Sequence, residues 1–278
     1  GSMPNDGGNL IFTEREKEEF LKNEPAAKKW IKPLLSAKEF LNNEKRYCLW
    51  LVDIKPEELK RLKAINQRVE NVKKLRLESN RESTRKLANF PTLFGENRQP
   101  ETDYLLLPRV SSEKRRYIPI GFFTSEYIAN DSCLIIPNAT LYLFGILTSE
   151  MHMTWVKYVC GRLESRFRYS NTIVYNNYPF PENVTDKQKE KVEKCAQLVL
   201  DIRAKYTDSS LADLYDPLSM PPDLVKAHQN LDKAVDLCYR SQPFVNELNR
   251  IEFLFNLYEN LNAPLLKQEK KKRIKQVM

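Results

Sequence analysis

The sequence predicts an α+β protein in which a mixed region of helices and a small sheet precedes a helical bundle. Three observations support this class. Amphipathic helical patterns open the chain, short apolar runs with strand character cluster in its middle, and only helical patterns follow a proline-containing break at Pro181. The 278 residues suffice for two cores. We therefore predict an α+β domain over residues 1–181, a helical domain over residues 182–264 and a basic tail over residues 265–278.

The first third of the chain is mainly helical by pattern. Thr13 followed by Glu16 has the spacing of a capping box, in which each side chain satisfies a backbone N–H at a helix start. The apolar run at residues 47–52 predicts a buried strand. A long charged helix is expected from Pro56 to Arg85, because apolar residues recur along it at mostly three- and four-residue spacings. These residues are Leu59, Leu62, Ile65, Val69 and Val72.

The middle of the chain changes character. Three apolar runs separated by polar turns predict strands at residues 104–107, 117–123 and 133–136. Residues 141–159 are apolar almost all round, which predicts one buried helix that ends near Gly161. A polar strand is expected over residues 163–169, before the break. Beyond the break, Thr185 and Gln188 again have capping-box spacing, and further amphipathic helices complete the bundle.

Bulk composition narrows the class of protein. No apolar run approaches the length of a membrane span, and no signal-peptide pattern is present, so we expect a cytoplasmic protein. The five cysteines are widely scattered without zinc-ligand spacing, and we interpret them as reduced core thiols.

Basic residues are segregated along the chain. The net charge is +8, and residues 60–116 contain 15 Lys and Arg against seven Asp and Glu, while residues 265–278 contain six against one. Such clustering is typical of a phosphate-binding face, because neutralised phosphates release condensed counterions. A solvated helix face with a basic tail explains the same charges at least as well.

Motifs for catalysis are weak. The seven glycines form no dinucleotide-binding or P-loop pattern, and the two histidines, His152 and His228, lie in apolar stripes far apart. Asp53, Glu58 and Lys60 loosely imitate a metal-dependent nuclease, although an ordinary helix start explains them better. Residues 176–180 (NNYPF) loosely resemble the pocket of an amino-methyltransferase but are interpreted as a linker. We therefore expect no catalytic residue and no metal site in the chain.

Two acid and arginine pairings fit the chemistry of base recognition. Period two along residues 163–169 places Glu164, Arg166 and Arg168 on one face. Arginine donates two hydrogen bonds to guanine, and a carboxylate accepts one from cytosine, so such a pair can recognise a G·C base pair. Arg109 and Asp131, beside neighbouring strands, form a second candidate pair. From the pattern alone, an ion pair on an exposed strand is the more economical interpretation.

Hydroxyl and basic side chains near these pairs are candidates for contacts to the DNA backbone. They are Ser111, Ser112, Lys114, Arg115 and Arg116, together with Arg81 and Arg85 at the end of the charged helix.

The chain resembles the MmeI-like type IIG, or IIL, restriction-modification enzymes, in which a DNA methyltransferase is fused to an endonuclease. Seven segments carry the resemblance, which covers nearly the whole chain except the basic tail. They are residues 4–10 (PNDGGNL), 48–52 (CLWLV), 111–119 (SSEKRRYIP), 175–181 (YNNYPFP), 209–216 (SSLADLYD), 220–222 (MPP) and 227–232 (AHQNLD).

The resemblance implies a target-recognition domain up to about Pro181, followed by the family's C-terminal helical domain. It further implies a parent in which the nuclease and the adenine-N6 methyltransferase lie upstream, with S-adenosylmethionine and Mg²⁺ bound only there. The chain would then recognise double-stranded DNA, contact the upstream methyltransferase domain, bind no cofactor and perform no catalysis.

The resemblance also implies which side chains contact bases. The family's positions match Arg109 with Asp131 and Glu164 with Arg166, with Arg168 nearby; Asn130 and Ser132 are alternates for Asp131. Two other functions stay open: a helical scaffold for protein interactions without sequence-specific DNA binding, and a nuclease built on Asp53, Glu58 and Lys60.

Overall fold

A computed structural model describes the backbone of residues 1–276 and the side chains of residues 1–263. The chain forms two compact units. Unit 1 comprises Gly1–Pro108, Ile120–Ala139 and Ser210–Ala212, and unit 2 comprises Arg109–Pro119, Thr140–Ser209 and Asp213–Met278. Both helices and sheets are present, which confirms the α+β class. The two units do not divide the chain at residue 181, so that domain boundary stays a prediction.

The helices follow each other in chain order from α1 to α11. They are α1 (Glu14–Asn23), α2 (Ala37–Asn42), α3 (Pro56–Arg61), α4 (Lys63–Leu77), α5 (Glu82–Lys86), α6 (Leu141–Leu147), α7 (Glu150–Val159), α8 (Asp186–Arg203), α9 (Leu211–Leu214), α10 (Pro222–Tyr239) and α11 (Glu247–Gln276). Tighter or wider helical turns occupy Pro25–Trp30, Leu87–Asn89 and Asn171–Tyr175.

The strands among the described residues 1–276 are short and fall into three sheets. They are β1 (Ile11–Thr13), β2 (Ile31–Leu35), β3 (Arg46–Leu49), β4 (Tyr104–Pro108), β5 (Val110–Ser111), β6 (Gly121–Phe123), β7 (Ile128–Ala129), β8 (Cys133–Pro137), β9 (Gly161–Leu163) and β10 (Arg166–Arg168). Unit 1 holds the sheets β1-β3-β2-β7 and β6-β4-β8, and unit 2 holds β5-β10-β9. All neighbouring strands are antiparallel except β2 and β7.

Unit 1 departs from the predicted long helix between Pro56 and Arg85. The helix is interrupted at Leu62, which leaves helical geometry, and α5 is a separate short helix. At the interruption, the Glu24 carboxylate accepts hydrogen bonds from the backbone N–H groups of Ala64 and Ile65, at 3.2 and 3.0 Å. A new helix start is thus capped by a side chain distant in sequence, which the local periodicity does not reveal. The predicted apolar stripe nevertheless packs into the core of unit 1.

Arg76 ties together the loops of unit 1. Its side chain is fully buried, and its guanidinium donates hydrogen bonds to five backbone carbonyls, at distances between 2.8 and 3.1 Å. The acceptors are the carbonyls of Pro4, Asn5, Leu87, Phe90 and Leu93. One side chain therefore fastens the N-terminal turn to the loops that follow α4 and α5.

Unit 2 consists of the later helices and the small sheet β5-β10-β9. The buried helix predicted over residues 141–159 is in fact two helices, α6 and α7, because Ser149 caps the start of α7 by accepting from the backbone N–H of His152. The buried Asp232 carboxylate of α10 accepts from the N–H of Glu150 at 2.7 Å and satisfies a second N–H of this helix start. The capping box of Thr185 and Gln188 is present at α8, as is that of Thr13 and Glu16 at α1.

All five cysteines are buried, and none of them forms a disulfide. Within the part of the chain that the structure describes, no helix combines the length and apolar character that a membrane crossing requires. The basic tail belongs to the last turns of α11 up to Gln276, but its side chains lie outside the described residues.

Candidate nucleic-acid interface

The polar segment at residues 163–169 forms the end of a β-hairpin. Its two strands, β9 and β10, are joined by the two-residue turn of Glu164 and Ser165. Glu164 has φ of 56°, the left-handed conformation that a two-residue hairpin turn requires and that glutamate seldom adopts. The predicted single strand is therefore wrong, because its alternation of polar and apolar residues continues across a turn without glycine or asparagine to mark it.

The hairpin presents an arginine face to solvent. Arg166 and Arg168 are exposed and alternate along β10 with Phe167, which is buried on the opposite face. Leu163 pairs with Arg166 across the hairpin, and both Gly161 and Val110 pair with Arg168. Residues directly opposite each other in an antiparallel sheet lie on the same face. We define the arginine face as Leu163, Arg166 and Arg168.

Glu164 and Arg166 form the predicted pair even though Glu164 lies outside the strand. Nη2 of Arg166 donates to Oε2 of Glu164 at 2.8 Å, and the two side chains are 45% and 77% exposed. An ion pair this exposed contributes little to stability. Both groups therefore remain accessible to another hydrogen-bonding surface.

A backbone hydrogen bond holds Arg109 beside the arginine face. Arg109 immediately precedes β5, and its carbonyl accepts a hydrogen bond from the N–H of Tyr169 at 2.7 Å. Its Nε–H group is buried and has no hydrogen-bond partner among the described residues. A buried N–H without an acceptor carries a desolvation cost. Unit 2 thus brings Arg109, Glu164, Arg166 and Arg168 into one region of the β5-β10-β9 sheet.

Five residues of unit 2 are candidates for contacts to the DNA backbone. Ser111 lies in β5, and the other four follow it in a polar turn. Ser112 shapes this turn, because its hydroxyl accepts from the N–H of Lys114 and its carbonyl from the N–H of Arg115. Lys114 and Arg116 are exposed, and Arg116 donates to Glu150 at 3.2 Å. Burial lowers the pKa of Arg115, an effect that Asp216 opposes. Ser111 is buried opposite Phe167, so its hydroxyl is less suited to a phosphate than the other four residues.

Unit 1 holds the remaining candidates. The Asp131 carboxylate has no hydrogen bond or ion pair among the described residues of unit 1, although the backbone N–H of Asp131 donates to the Ser2 carbonyl. The alternates are engaged locally: Oδ1 of Asn130 accepts from the N–H of Ser132, and the Ser132 hydroxyl accepts from the N–H of Ala37, both at 2.9 Å. Asp131 is therefore the better candidate of the three. Because Arg109 belongs to unit 2, its pairing with Asp131 stays a prediction.

Arg81 is the N-cap of the short helix α5 in unit 1, and Arg85 lies in the last turn of that helix. Both side chains are exposed, and Nη1 of Arg85 donates to the Ser79 carbonyl at 2.8 Å. They remain candidates for phosphate contacts because their charge is presented to solvent.

The nuclease candidates have an ordinary structural explanation. Glu58 accepts from Nε1 of Trp30 at 3.1 Å and from the Lys29 ammonium at 2.6 Å, and the hydrogen bond with Lys29 lowers its pKa. Asp53 and Lys60 are exposed. Within the residues that the structure describes, no three His, Cys, Asp or Glu side chains group together as metal ligands.

The NNYPF segment is packed rather than extended as a linker. The Asn177 amide donates to the carbonyls of Thr172 and Ile173 at 2.9 and 3.0 Å, closing the preceding helical turn. Tyr178 is buried, with its ring 4.5 Å from that of His152. The linker interpretation is therefore wrong, because aromatic side chains fix this segment within unit 2.

Comparisons with known proteins agree on one family. The model for the MmeI target recognition domain matches residues 1–182, and the model for the MmeI C-terminal domain matches residues 184–266. DNA methyltransferase A of Bacillus subtilis (strain 168) is 38% identical over 261 residues, which are 94% of this chain and 30% of that protein.

A solved structure shows the same similarity in three dimensions. The type IIL restriction-modification enzyme MmeI, in complex with DNA, superposes with a TM-score of 0.92 at 42% sequence identity. The match covers 95% of this chain and 35% of the enzyme chain. The chain thus spans about a third of the length of these two proteins.

Proposed function

Because the chain belongs to the MmeI family, with that family's target recognition domain followed by its C-terminal domain, we propose that it recognises the sequence of double-stranded DNA. The observation that carries the proposal is the arginine face of unit 2. Two guanidinium groups are presented to solvent from adjacent outward positions of one strand, with a carboxylate hydrogen-bonded to the first. The similarity to MmeI, whose structure contains DNA, supports the same conclusion.

Recognition of a G·C pair would use both members of the Glu164 and Arg166 pair. The guanidinium can donate two parallel hydrogen bonds to O6 and N7 of guanine, and the carboxylate can accept from N4 of the paired cytosine. Arg168 extends the same face, and Arg109 lies beside it, held by the hydrogen bond between its carbonyl and the N–H of Tyr169. Asp131, in unit 1, would contribute a further carboxylate to base recognition.

Contacts to the DNA backbone would hold this face in place. Lys114, Arg115 and Arg116 form a cationic turn next to β5, and Ser112 fixes the shape of the turn. Charged donors bind phosphates strongly but carry no sequence information, so these residues would set affinity and orientation. Arg81 and Arg85 would add phosphate contacts from unit 1.

The chemistry of the parent protein belongs outside this chain in our proposal. The relatives are about three times longer, and the B. subtilis relative is a DNA methyltransferase. We place adenine-N6 methyl transfer, DNA cleavage, S-adenosylmethionine and Mg²⁺ in an upstream part of the same polypeptide, which would be a partner of this chain. Its DNA substrate would place the protein in the cytoplasm.

A duplex-binding titration across salt concentrations tests the proposal against the scaffold alternative. A chain that neutralises about five phosphates should lose roughly five-hundredfold in affinity between 50 and 200 mM salt, because each contact releases condensed counterions. Selection from a random duplex library should also return a preferred site. A protein-interaction scaffold would show little duplex affinity and return no preferred site.

A further inference from the structure

One buried tyrosine connects the arginines of unit 2. Tyr169 directly follows Arg168 in sequence and is only 3% exposed. Its N–H donates to the carbonyl of Arg109 at 2.7 Å, which holds the segment before β5 against the end of β10. The position of Tyr169 therefore affects Arg109 and Arg168 together.

The side chain of Tyr169 reaches into the helical part of unit 2. Its hydroxyl lies 2.8 Å from Nε2 of His152, a buried residue of α7. Burial lowers the pKa of His152 to about 3, so the imidazole is neutral at physiological pH and forms a neutral hydrogen bond. Nδ1 of His152 has no partner among the described residues, so this bond is the ring's only hydrogen bond there.

His152 is itself held firmly. Its ring packs edge-on against Tyr178 at a centroid distance of 4.5 Å. Tyr178 in turn accepts a 2.7 Å hydrogen bond from the hydroxyl of Tyr239, in α10. The hairpin that carries the arginine face is thereby fastened, through Tyr169 and His152, to two helices of unit 2.

We infer that Tyr169 and His152 are positioning residues, which set the specificity of base recognition by holding Arg109 and Arg168 in register. This inference rests on the proposed function. Neither side chain is exposed, so neither can contact a base directly. Discrimination between base pairs depends on the geometry of bidentate hydrogen bonds, so a loosened hairpin should lose specificity before it loses electrostatic affinity.

The chain contains a matched control for this bond. Tyr215 and His228 form a second buried tyrosine–histidine hydrogen bond in unit 2, with the hydroxyl 3.0 Å from Nε2. Among the contacts described for Tyr215, none reaches residues 161–168. Tyr169→Phe and Tyr215→Phe therefore remove the same chemical group from equally buried sites, and only the first acts on the hairpin.

The experiment measures Kd for the 278-residue chain on its selected site and on every single-base-pair variant of that site. At one or two positions of the site, Tyr169→Phe should reduce the ratio of Kd values between the variant and the selected duplex about five- to tenfold. This is a part of the discrimination that one bidentate contact supplies. Tyr215→Phe should leave the discrimination unchanged, while both variants show a similar loss of Tm. In the absence of DNA, hydrogen exchange at residues 161–168 should accelerate only in Tyr169→Phe.

The outcomes separate the two hypotheses. A wild-type chain that binds all duplexes equally would refute the proposed function. A discriminating wild type, with Tyr169→Phe losing no specificity or losing it equally at every position, would refute only the positioning role. Should Tyr169→Phe fail to fold, His152→Gln would replace it. Its control would be His228→Gln. The ring of His228 stacks on Tyr117 next to the cationic turn, so this control should at most weaken binding to all duplexes alike, without changing discrimination.

Discussion

The hydroxyl of Tyr117 donates a 2.6 Å hydrogen bond to Oδ2 of Asp232, and both side chains are buried. Asp232 uses its other oxygen to cap the start of α7 through the N–H of Glu150. Tyr117 also stacks on His228 of α10, with ring centroids 4.1 Å apart. The cationic turn that ends at Arg116 is thus anchored to the helices of unit 2 through Tyr117, as the hairpin is through Tyr169.

Asp232 should make stability depend on pH. Burial raises its pKa from 3.8 to about 7, so between these values the folded chain retains a proton that the unfolded chain has released. The contribution of Asp232 to the free energy of unfolding therefore falls as pH rises from about 4 to 7. Burial lowers the pKa of His152 and His228 to about 3, so their contributions rise with pH between about 3 and 6.5.

Comparison of Asp232→Asn with the wild type isolates the aspartate, because the histidine contributions cancel in the difference. The stability of the variant relative to the wild type should increase as pH rises from 4 to 7 and then level off. Urea unfolding at pH 4, 5, 6, 7 and 8 measures this difference. A difference that stays constant over the range would contradict the buried, protonated carboxyl.

Arg76→Met should destabilise unit 1 by about 3 kcal/mol or more. The substitution leaves five buried backbone carbonyls without their donor, and each unsatisfied polar group carries a desolvation cost. Arg81→Met, at an exposed arginine of the same unit, should change the free energy of unfolding by no more than about 0.5 kcal/mol. Urea unfolding, followed by circular dichroism, measures the stability of both variants. Similar urea midpoints for the two would contradict the stabilising role of Arg76.

Gly145→Ala should lower stability by about 1 to 3 kcal/mol because of overpacking. A methyl group at Gly145 would lie 2.6 Å from Cγ1 of Val192, where α6 packs on α8. This clash should outweigh the gain of about 1 kcal/mol in helix propensity. At Gly161 the nearest atom would be 3.8 Å away, so Gly161→Ala is the control and should be nearly neutral. Thermal unfolding of the two variants tests this prediction. An unchanged Tm for Gly145→Ala would contradict it, because α6 and α8 would then accommodate the methyl group without cost.

The sequence predicts the elements whose signals are local. Capping boxes at Thr13 and Thr185 and the apolar stripe of α4 are present in the structure as expected. The local pattern does not show the helix start after Leu62, because its cap, Glu24, is distant in sequence. At α7 the local cap Ser149 is masked by the apolar residues on both sides, and the distant Asp232 satisfies a second N–H. Only tertiary structure brings Glu24 and Asp232 to these helix starts.

The candidate site is likewise predictable from the sequence only in part. Period two identified Arg166 and Arg168 as neighbours on one face, but it also extended the strand through Glu164, whose left-handed turn has no glycine to signal it. The buried positioning groups, Tyr169 with His152 and Tyr117 with Asp232, gave no signal, because an apolar stripe does not show which polar groups meet inside it. Base-reading roles were suggested by the family resemblance, since the ion-pair pattern alone is common on exposed strands.

Arg166→Ala, compared with Arg115→Ala, tests most directly whether the hairpin recognises DNA sequence. Affinity is measured for the selected duplex and for all its single-base-pair variants at one salt concentration. We predict that Arg166→Ala loses about 1 to 3 kcal/mol of discrimination at one base pair, while Arg115→Ala weakens binding to all duplexes alike and reduces the salt slope by about one. Equal losses on every duplex for both variants would contradict base recognition by the arginine face.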